Sequence, residues 1–303
     1  MGASDDEGGA EMIYLRYDPY TNLGNYMFQI AFASAVDGDA DVAFVAGDAR
    51  GAAQLNRYRE LYPQVRVVSS LPAGTRVFDE MESPGILPRI QKGEDVFIRG
   101  WVQYPQFFDE MRVRRIFACP ERVSARLAGR FGELFDGREL VGVSVRRGDY
   151  LKLSHRHPFV GRRYLAEAVG RFSSAATFVV CSDDLPWCRR FFGGRRFAGR
   201  KFVFVEGEDV LTQLFIHTKC HHNIISNSSF SWWGAYLNPN PSKRVVFPSM
   251  WFGFGINRHP AHLYWPGAEI VTNGYEFDIR VRALCASAKE RVGRILRKAG
   301  LLK

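Results

Sequence analysis

The sequence has no long run of apolar residues, and none of its hydrophobic stretches approaches the roughly 20 residues that a helix needs to span a bilayer. It also lacks the features of a signal peptide, because its start, MGASDDEGGAEM, is acidic and rich in glycine. These absences predict a soluble protein of the cytoplasm. We expect residues 1–10 to be disordered.

Cysteine is scarce, at five residues in 303, and no Cys-x-x-Cys pair occurs. An odd number of scattered cysteines is typical of reduced thiols and argues against a disulfide framework. The lack of paired cysteines also disfavours a structural zinc site.

Acidic residues are fewer than basic ones, with 32 aspartates and glutamates against 41 lysines and arginines, which gives a formal net charge of +9. This basic excess is unevenly distributed along the chain. Residues 280–303, RVRALCASAKERVGRILRKAGLLK, hold eight lysines and arginines against one glutamate, a net charge of +7. Apolar residues recur there at spacings of three and four, which predicts a basic amphipathic helix over residues 276–303. Two interpretations stay open: peripheral contact with an anionic membrane, or docking on the body with a solvated basic face.

Short runs of β-branched and aromatic residues alternate with longer helical patterns, which predicts an α/β fold with parallel sheets. The predicted strands are 12–17, 42–45, 65–68, 96–99, 140–145, 177–181, 202–205, 223–226 and 244–248. The predicted helices include 26–36, 121–135, 163–172, 187–192 and 231–237. A turn-rich region and a basic patch before residue 120 divide the pattern into two domains, 11–120 and 121–275.

The first motif, LRYDPYTNLGN at residues 15–25, follows the first predicted strand and opens a helix. A glycine in such a turn, here Gly24, lets backbone approach a ligand, and the helix start offers unpaired N–H groups. The motif has one glycine where a dinucleotide fingerprint has three. The pattern alone therefore leaves a binding turn and a purely structural turn open.

The second motif, VGVSVRRGDY at residues 141–150, runs from a buried strand directly into Arg146 and Arg147. Open α/β sheets bind ligands at the carboxyl ends of their strands, and guanidinium groups match the geometry of phosphate. The alternative is a surface ion pair of either arginine with Asp149, worth about 0 to 1 kcal/mol. We interpret the two arginines as anion ligands.

The third motif, FVVCSDD at residues 178–184, places Ser182, Asp183 and Asp184 at the same predicted edge. Three interpretations stay open. The carboxylates accept hydrogen bonds from a base or ribose, or the two aspartates bind a metal that holds nucleotide phosphates. In the third, one aspartate caps the helix that begins near Pro186.

The fourth motif, ISNSSFSWWGAYL at residues 225–237, crowds serines at the start of a predicted helix. Hydroxyl groups, free N–H groups and the positive end of the helix dipole converge there, which favours an anion site. An ordinary N-cap needs only one serine. We expect the two tryptophans that follow to pack the helix against the sheet.

In this order, the four motifs resemble those of glycosyltransferase family 11, the α-1,2-fucosyltransferases, over roughly residues 12–248. The resemblance implies a GT-B-like fold, with two Rossmann-like domains whose mostly parallel sheets face across a cleft. Residues 11–120 would form the acceptor-side domain and residues 121–275 the nucleotide-sugar-binding domain. The resemblance also implies GDP-L-fucose as donor, a glycan acceptor, inversion at the anomeric carbon, and no metal or other cofactor.

The resemblance assigns donor-binding residues in all four motifs. They are Gly24, Asn25, Arg146, Arg147, Ser182, Asp183, Ser228, Ser229, Phe230 and Ser231. The arginines would clamp the pyrophosphate and neutralise charge as GDP departs, and the serines would bind the β-phosphate. Asp183 would contact guanine or ribose, and Asn25 would face the donor sugar or the acceptor.

Two residues depart from the family pattern. Ser144 stands where a histidine is usual, two residues before the arginine pair, and Tyr26 stands where a glutamine is usual. We expect Ser144 to alter the nucleotide contacts. Tyr26 puts the usual acceptor in question.

The implied reaction is a single displacement in which an acceptor hydroxyl, O2 of a galactoside or related glycan, attacks the anomeric carbon of fucose. A general base would take the hydroxyl proton. Asp149 and Asp18 are the candidate carboxylates by motif position. For Asp149 we favour the alternative role of bracing Arg146 or Arg147.

Three other functions match parts of the pattern. A metal-dependent glycosyltransferase would use Asp183 and Asp184 with another sugar nucleotide. A non-catalytic glycan-binding protein would share the scaffold without consuming nucleotide. A nucleic-acid binder would depend on residues 280–303 and show a steep salt dependence, but we expect no nucleic-acid partner. The sequence predicts no particular oligomeric state.

Overall fold

The computed structural model describes residues 12–90, 93–254, 260–273 and 277–298. The predicted disordered segment, residues 1–10, lies outside the described residues. The chain divides into two compact units, with the boundary after Glu121, and each unit is an α/β structure in its own right.

The first unit is built on one parallel sheet with helices beside it. Its strands are β1 (Met12–Arg16), β2 (Asp41–Val45), β3 (Arg66–Val68), β4 (Arg76–Asp79) and β5 (Val96–Arg99). Its helices are α1 (Leu23–Val36), α2 (Ala49–Asn56) and α3 (Glu110–Ile116). The strand order is β3-β2-β1-β5-β4, and all neighbours run parallel.

Helix α1 packs into the core of this unit because its sequence is apolar on most sides. Ten of its 14 residues are buried, among them Phe28 and Phe32. Ile13 and Leu15 of β1 are fully buried as well. The chain enters β2 on one side of β1 and β5 lies on the other, so the strand order reverses beside β1. Open α/β sheets bind ligands at such a reversal.

The second unit has a six-stranded parallel sheet. Its strands are β6 (Leu140–Val145), β7 (Thr177–Ser182), β8 (Lys201–Phe204), β9 (His222–Ile224), β10 (Val245–Pro248) and β11 (Glu269–Val271). Its helices are α4 (Glu121–Phe135), α5 (Arg162–Gly170), α6 (Leu185–Phe192), α7 (Val210–Lys219), α8 (Ser229–Tyr236) and α9 (Phe277–Lys298). The strand order is β11-β10-β9-β6-β7-β8, and every pair is parallel.

Strand β6 is the centre of the second sheet, and all six of its residues are buried. Val141, Val143 and Val145 join a core that includes Tyr164 of α5 and Phe178 of β7. The chain continues from β6 into β7 on one side and later returns to place β9 on the other. The strand order therefore reverses between β6 and β9, and the loops that follow these two strands flank the reversal.

The predicted class is confirmed: the chain is an α/β protein with two Rossmann-like, parallel-sheet units. The short edge strands β4 and β11 were not predicted, because they are only half-buried and carry little alternation. Helices α2, α3 and α7 were also missed. Helices α1 and α8 begin earlier than predicted, at Leu23 and Ser229.

The C-terminal amphipathic helix is present as α9, which ends at Lys298; residues 299–303 lie outside the described part of the chain. Across the described ranges, no helix combines the length and apolarity needed to cross a bilayer. All five cysteines are free thiols, as predicted.

Candidate functional site

The second and fourth sequence motifs lie on either side of the strand-order reversal in the second unit. The loop with Arg146 and Arg147 follows β6, and the serine-rich loop follows β9 and leads into α8. The two aspartates of the third motif follow β7, which pairs with β6 along its whole length. Three separate sequence segments thus reach one edge of the sheet.

Arg146 is held in place by two carboxylates and keeps an accessible guanidinium. Its Nη2 lies 2.8 Å from Asp149 Oδ1, and its Nη1 lies 3.0 Å from Asp183 Oδ2. The side chain is 32% exposed. Asp149 therefore forms an ion pair with Arg146, and Arg146 presents a positioned cation at the sheet edge.

Arg147 has a very different environment from its neighbour. Its guanidinium carbon lies 3.9 Å from the ring centroid of Trp187 and 4.9 Å from that of Phe159. Its Nε donates to Asp184 Oδ2 at 3.2 Å, and its side chain is 11% exposed. Arg147 therefore packs against the aromatic side of the site, which we call its wall, through cation–π contacts with Trp187 and Phe159 and one bond to Asp184.

Asp183 joins the loops that follow β6 and β7. Its Oδ1 accepts a hydrogen bond of 2.8 Å from the backbone N–H of Arg147, while its Oδ2 contacts Arg146. A Cβ at Gly148 would lie 2.6 Å from Asp183 Oδ2, so only glycine leaves room for this carboxylate. Asp183 thus fixes the backbone and the side chain of the arginine pair together.

Asp184 is the aspartate that caps a helix. Its Oδ1 accepts from the backbone N–H of Trp187 at 3.2 Å, at the start of α6. Ser182 Oγ in turn accepts from the backbone N–H of Asp184 at 2.9 Å. Within the described ranges, no cluster of three or more His, Cys, Asp or Glu side chains is arranged to hold a metal.

The serines of the fourth motif do not share one environment. Ser228, Ser229 and Phe230 are partly exposed at the first turn of α8, and Ser228 makes no side-chain capping bond. Ser231 is buried, and its hydroxyl lies 2.9 Å from the carbonyl oxygens of both Ser226 and Ser228. The expectation that all three predicted serines line an anion site is thus corrected for Ser231, whose hydroxyl is used to fold the loop.

The two tryptophans of this motif pack inside the unit, as predicted. Trp232 and Trp233 are fully buried, and the indole N–H of Trp232 donates to the carbonyl oxygen of Leu263 at 2.8 Å. They hold α8 in position beneath the serine-rich turn.

Sequence reasoning missed a connection between the two loops that flank the reversal. The hydroxyl of Tyr150 donates to the carbonyl oxygen of Asn227 at 3.1 Å, and its ring stacks on His157 at a centroid distance of 5.1 Å. Burial raises the pKa of Tyr150 and lowers that of His157. Tyr150 belongs to the quoted second motif, whereas no sequence signal singled out His157.

The predicted residues of the first unit lie at the reversal beside β1. Asp18 follows β1, and its Oδ1 accepts from the backbone N–H of Tyr20 at 2.9 Å. Gly24 is buried in the first turn of α1, and Asn25 Oδ1 accepts from Gln103 Nε2 at 2.9 Å. This bond joins the start of α1 to the segment after β5.

The segment after β5 also contains a strained residue. Val102 has a φ of 40°, in the left-handed region that β-branched residues avoid. Such strain persists only where the surroundings impose it, and it is common at binding sites. Neither Val102 nor Gln103 was predicted as a site residue.

The two departures from the family pattern are both buried. Tyr26 is fully buried against Phe44, and its hydroxyl contacts the carbonyl oxygen of Asp18 and Gln54 Nε2, each at 3.3 Å. Tyr26 therefore contributes to the core, which corrects the expectation that it bears on the acceptor. Ser144 is 6% exposed within β6, so its side chain also belongs to the interior.

Comparison with known proteins shows which family this chain is similar to. Residues 112–251, somewhat less than half of the sequence, match the model described as Glycosyl transferase family 11. Together with the relatives below, this match confirms the resemblance of the chain to that family.

Two of the similar proteins are named as α-1,2 transferases. The chain is 28% identical to the alpha-1,2-colitosyltransferase of Escherichia coli over 62% of its own length and 68% of that protein. It is 36% identical to galactoside 2-alpha-L-fucosyltransferase Sec1 of Mus musculus, over 32% of this chain and 28% of that one. A crystal structure of NodZ alpha-1,6-fucosyltransferase soaked with GDP-fucose is 15% identical, with a TM-score of 0.49 over 77% of this chain and 97% of that one. The chain is thus similar to galactoside α-1,2-fucosyltransferases, although it spans under a third of the mouse protein.

Proposed function

We propose that this chain is an inverting fucosyltransferase that moves L-fucose from GDP-L-fucose to a hydroxyl, O2 of a galactoside or related glycan. The family 11 match and the α-1,2 specificity in the names of the relatives support this proposal. The observation that carries it is the arginine pair at the strand-order reversal of the second sheet, fixed by aspartates from two loops.

Arg146 is the residue that we assign to the donor diphosphate. Its side chain is partly exposed yet held by two carboxylates, so the guanidinium is oriented before the donor arrives. Ser228 and Ser229, with the N–H groups of the first turn of α8, would complete the anion site from the other side of the reversal. A positioned cation of this kind stabilises the charge that develops on departing GDP.

Three further predicted residues of the second unit have supporting roles in this proposal. Arg147 supports the wall, Asp183 fixes the arginine loop, and Ser231 orders the serine turn. The predicted contact of Asp183 with guanine or ribose becomes secondary in this proposal, because both of its oxygens already accept protein hydrogen bonds or ion pairs.

We further propose that the reaction needs no divalent metal. The carboxylates of Asp183 and Asp184 are engaged by guanidinium and backbone N–H groups, which supports charge stabilisation by arginine. The metal-dependent alternative predicts that a chelator abolishes transfer, whereas this proposal predicts unchanged turnover in excess chelator.

The general base is to be chosen between Asp18 and Asp149. The ion pair of Asp149 with Arg146 at 2.8 Å supports a bracing role for this carboxylate. Asp18 has a longer contact, 3.5 Å to Arg16, and is the base in our proposal. Asp18→Asn should then lower kcat with little change in GDP binding. Asp149→Asn should weaken GDP binding, because Arg146 loses one of its two partners.

The decisive experiment compares Arg146→Ala with Arg147→Ala. Arg146→Ala should weaken GDP binding by about tenfold to a hundredfold, the worth of a charge-assisted contact, without changing the melting temperature. Arg147→Ala should weaken GDP binding and also destabilise the fold, because its ring contacts are lost. Calorimetry with GDP, transfer from GDP-L-fucose to galactoside acceptors and thermal unfolding measure these effects.

An exposed arginine of the same unit, Arg195, provides the control, and Arg195→Ala should leave binding and turnover unchanged. Wild-type protein that binds no GDP, or Arg146→Ala protein with full turnover, would rule the proposal out. A panel of sugar nucleotides and acceptors, read by mass analysis of products, tests the assignment of donor and linkage.

A further inference from the structure

Helix α9 is docked on the second unit by one of its faces. Ile279 and Ala283 are buried. About two turns beyond Ala283, Glu290 contacts two residues of the body: His155 Nε2 lies 2.5 Å from Glu290 Oε2, and Arg156 donates to the other carboxylate oxygen. These bonds lower the pKa of Glu290. The side of α9 that faces the body is thereby fixed.

The opposite side of α9 is an exposed apolar stripe. Val281, Leu284, Val292 and Ile295 are between 43% and 60% exposed. At about 100° per residue, these four side chains and Ala288 lie within one narrow sector, roughly opposite Ile279, Ala283 and Glu290. The docking of α9 therefore leaves its apolar side chains turned away from the body.

Basic residues flank the stripe on both sides. Arg280 and Arg291 lie along one flank, and Arg282 and Lys289 lie along the other; all four are exposed. An apolar sector bordered by long cationic side chains is the arrangement of helices that lie in the interface of an anionic bilayer. The charged groups reach lipid headgroups while the apolar sector enters the acyl boundary.

We propose that the exposed face of α9 binds an anionic membrane surface, with the helix lying in the plane of the interface. A second copy of the chain is a poorer partner, because pairing two stripes would bring like-charged flanks together. The phosphates of a nucleic acid would contact the basic flanks, but its binding would draw no free energy from burial of the apolar stripe. Anionic lipid satisfies both features, and the proposal does not depend on which sugar the enzyme transfers.

The test is co-sedimentation of the full-length protein with vesicles of phosphatidylcholine, alone or mixed with phosphatidylglycerol. Wild-type protein should bind the phosphatidylglycerol vesicles and lose affinity as salt is raised. Val292→Ser with Ile295→Ser should weaken binding by at least about tenfold, because several methylene and methyl groups no longer enter the bilayer. Arg282→Gln with Lys289→Gln should weaken it by about tenfold or more.

Two double substitutions at exposed positions outside α9 serve as controls. Ile86→Ser with Met111→Ser removes two exposed apolar side chains, and Arg195→Gln with Arg196→Gln removes two exposed charges. Both control proteins should bind vesicles as wild type does. Circular dichroism and thermal unfolding confirm that each variant is folded, and transfer to a soluble acceptor should be unchanged in the Val292/Ile295 variant.

Three results would overturn the proposal. The first is wild-type protein with no preference for phosphatidylglycerol vesicles. The second is full vesicle binding by the Val292/Ile295 variant. The same conclusion would follow if the wild-type protein formed a dimer that this variant abolishes and bound no vesicles. The third is a duplex DNA that displaces the vesicles and binds the Val292/Ile295 variant as tightly as wild type.

Discussion

At the scale of single residues, the site depends on two adjacent arginines that do different work. Arg146 is partly exposed between two carboxylates, whereas Arg147 is enclosed by two aromatic rings. Successive residues after a strand point in different directions, so adjacent identical side chains meet different neighbours. Asp183 and Asp184, between β7 and α6, and Trp187 of α6 help to determine which of the two guanidinium groups is accessible to a ligand.

Gly148 gives the first prediction at this scale. Gly148→Ala would place a methyl group 2.6 Å from Asp183 Oδ2 and displace the carboxylate that holds both Arg147 N–H and Arg146. We expect GDP affinity to fall by about tenfold, since a positioned charge-assisted contact is worth 1.5 to 3 kcal/mol or so. Calorimetry with GDP measures the change.

A glycine with open space around it is the matched control. A Cβ at Gly129 of α4 would meet nothing within 4 Å, so Gly129→Ala should keep GDP affinity and raise the free energy of unfolding by about 0.5 to 1 kcal/mol. Equal GDP affinities for the Gly148 and Gly129 variants would show that Asp183 does not need its present position.

At the scale of elements, helix α6 links the third motif, through Asp184, to the side chain of Arg147. Asp184 caps the helix through Trp187 N–H, and the ring of Trp187 covers Arg147. The same carboxylate contacts Arg147 Nε. The start of one short helix therefore determines the position of a side chain that belongs to a different loop.

Substitution of Asp184 separates these two roles. Asn is a good N-cap, so Asp184→Asn keeps the cap and loses only the ion pair, whereas Asp184→Ala loses both. We expect the alanine variant to be less stable than the asparagine variant by about 1 kcal/mol in urea unfolding.

Helix α7 offers the comparison, because Asp209 caps it through Thr212 N–H and contacts the half-exposed Arg122. Asp209→Asn should cost little and Asp209→Ala about 1 kcal/mol. If the asparagine and alanine variants of Asp184 were equally stable, the cap of α6 would contribute nothing and the ion pair would account for the whole effect.

Elements with a strong local pattern were predictable from sequence, and elements that depend on tertiary packing were not. Strands β6 and β7 are buried apolar runs, and their positions and the polar residues that follow them were found in the sequence. Strands β4 and β11 lie at sheet edges, where the alternation is weak. Helix α7 was missed because it is buried on most sides and has little periodicity.

The site was predictable in the same uneven way. The sequence located Arg146, Asp183 and the serine turn, because each follows a recognisable strand. It did not show that Ser231 is interior or that Tyr150 bonds to the loop after β9, because those contacts join residues far apart in the chain. Tyr26 and Ser144 were singled out only because they depart from the family pattern. Both are buried, and they pack in the interior.

At the scale of the whole molecule, one buried histidine ties folding stability to pH. His217 of α7 packs between β6 and α8: a Cβ at Gly142 would lie 2.7 Å from its Nδ1, and a Cβ at Gly234 would lie 2.8 Å from its Cβ. Burial lowers its pKa from 6.5 to about 4. The imidazole is therefore neutral in the folded protein through the mildly acidic range.

This burial predicts a loss of stability in acid. Above pH 6.5 His217 is neutral in the folded and unfolded states. Between pH 6.5 and about 4 only the unfolded state binds the proton, so the free energy of unfolding falls as the pH falls, by up to about 3 kcal/mol from this group. Below that range His217 adds no further change.

The variant His217→Gln isolates this contribution from that of other acid-sensitive groups, because His157 and His222 also have lowered pKa values. The stability of the variant relative to wild type should improve by about 3 kcal/mol between pH 7 and pH 4, measured by urea unfolding. Ile216→Val, a conservative change at the neighbouring buried residue, should lower stability by about 1 kcal/mol equally at every pH. Parallel pH profiles for wild type and His217→Gln would mean that His217 takes up its proton without unfolding the second unit.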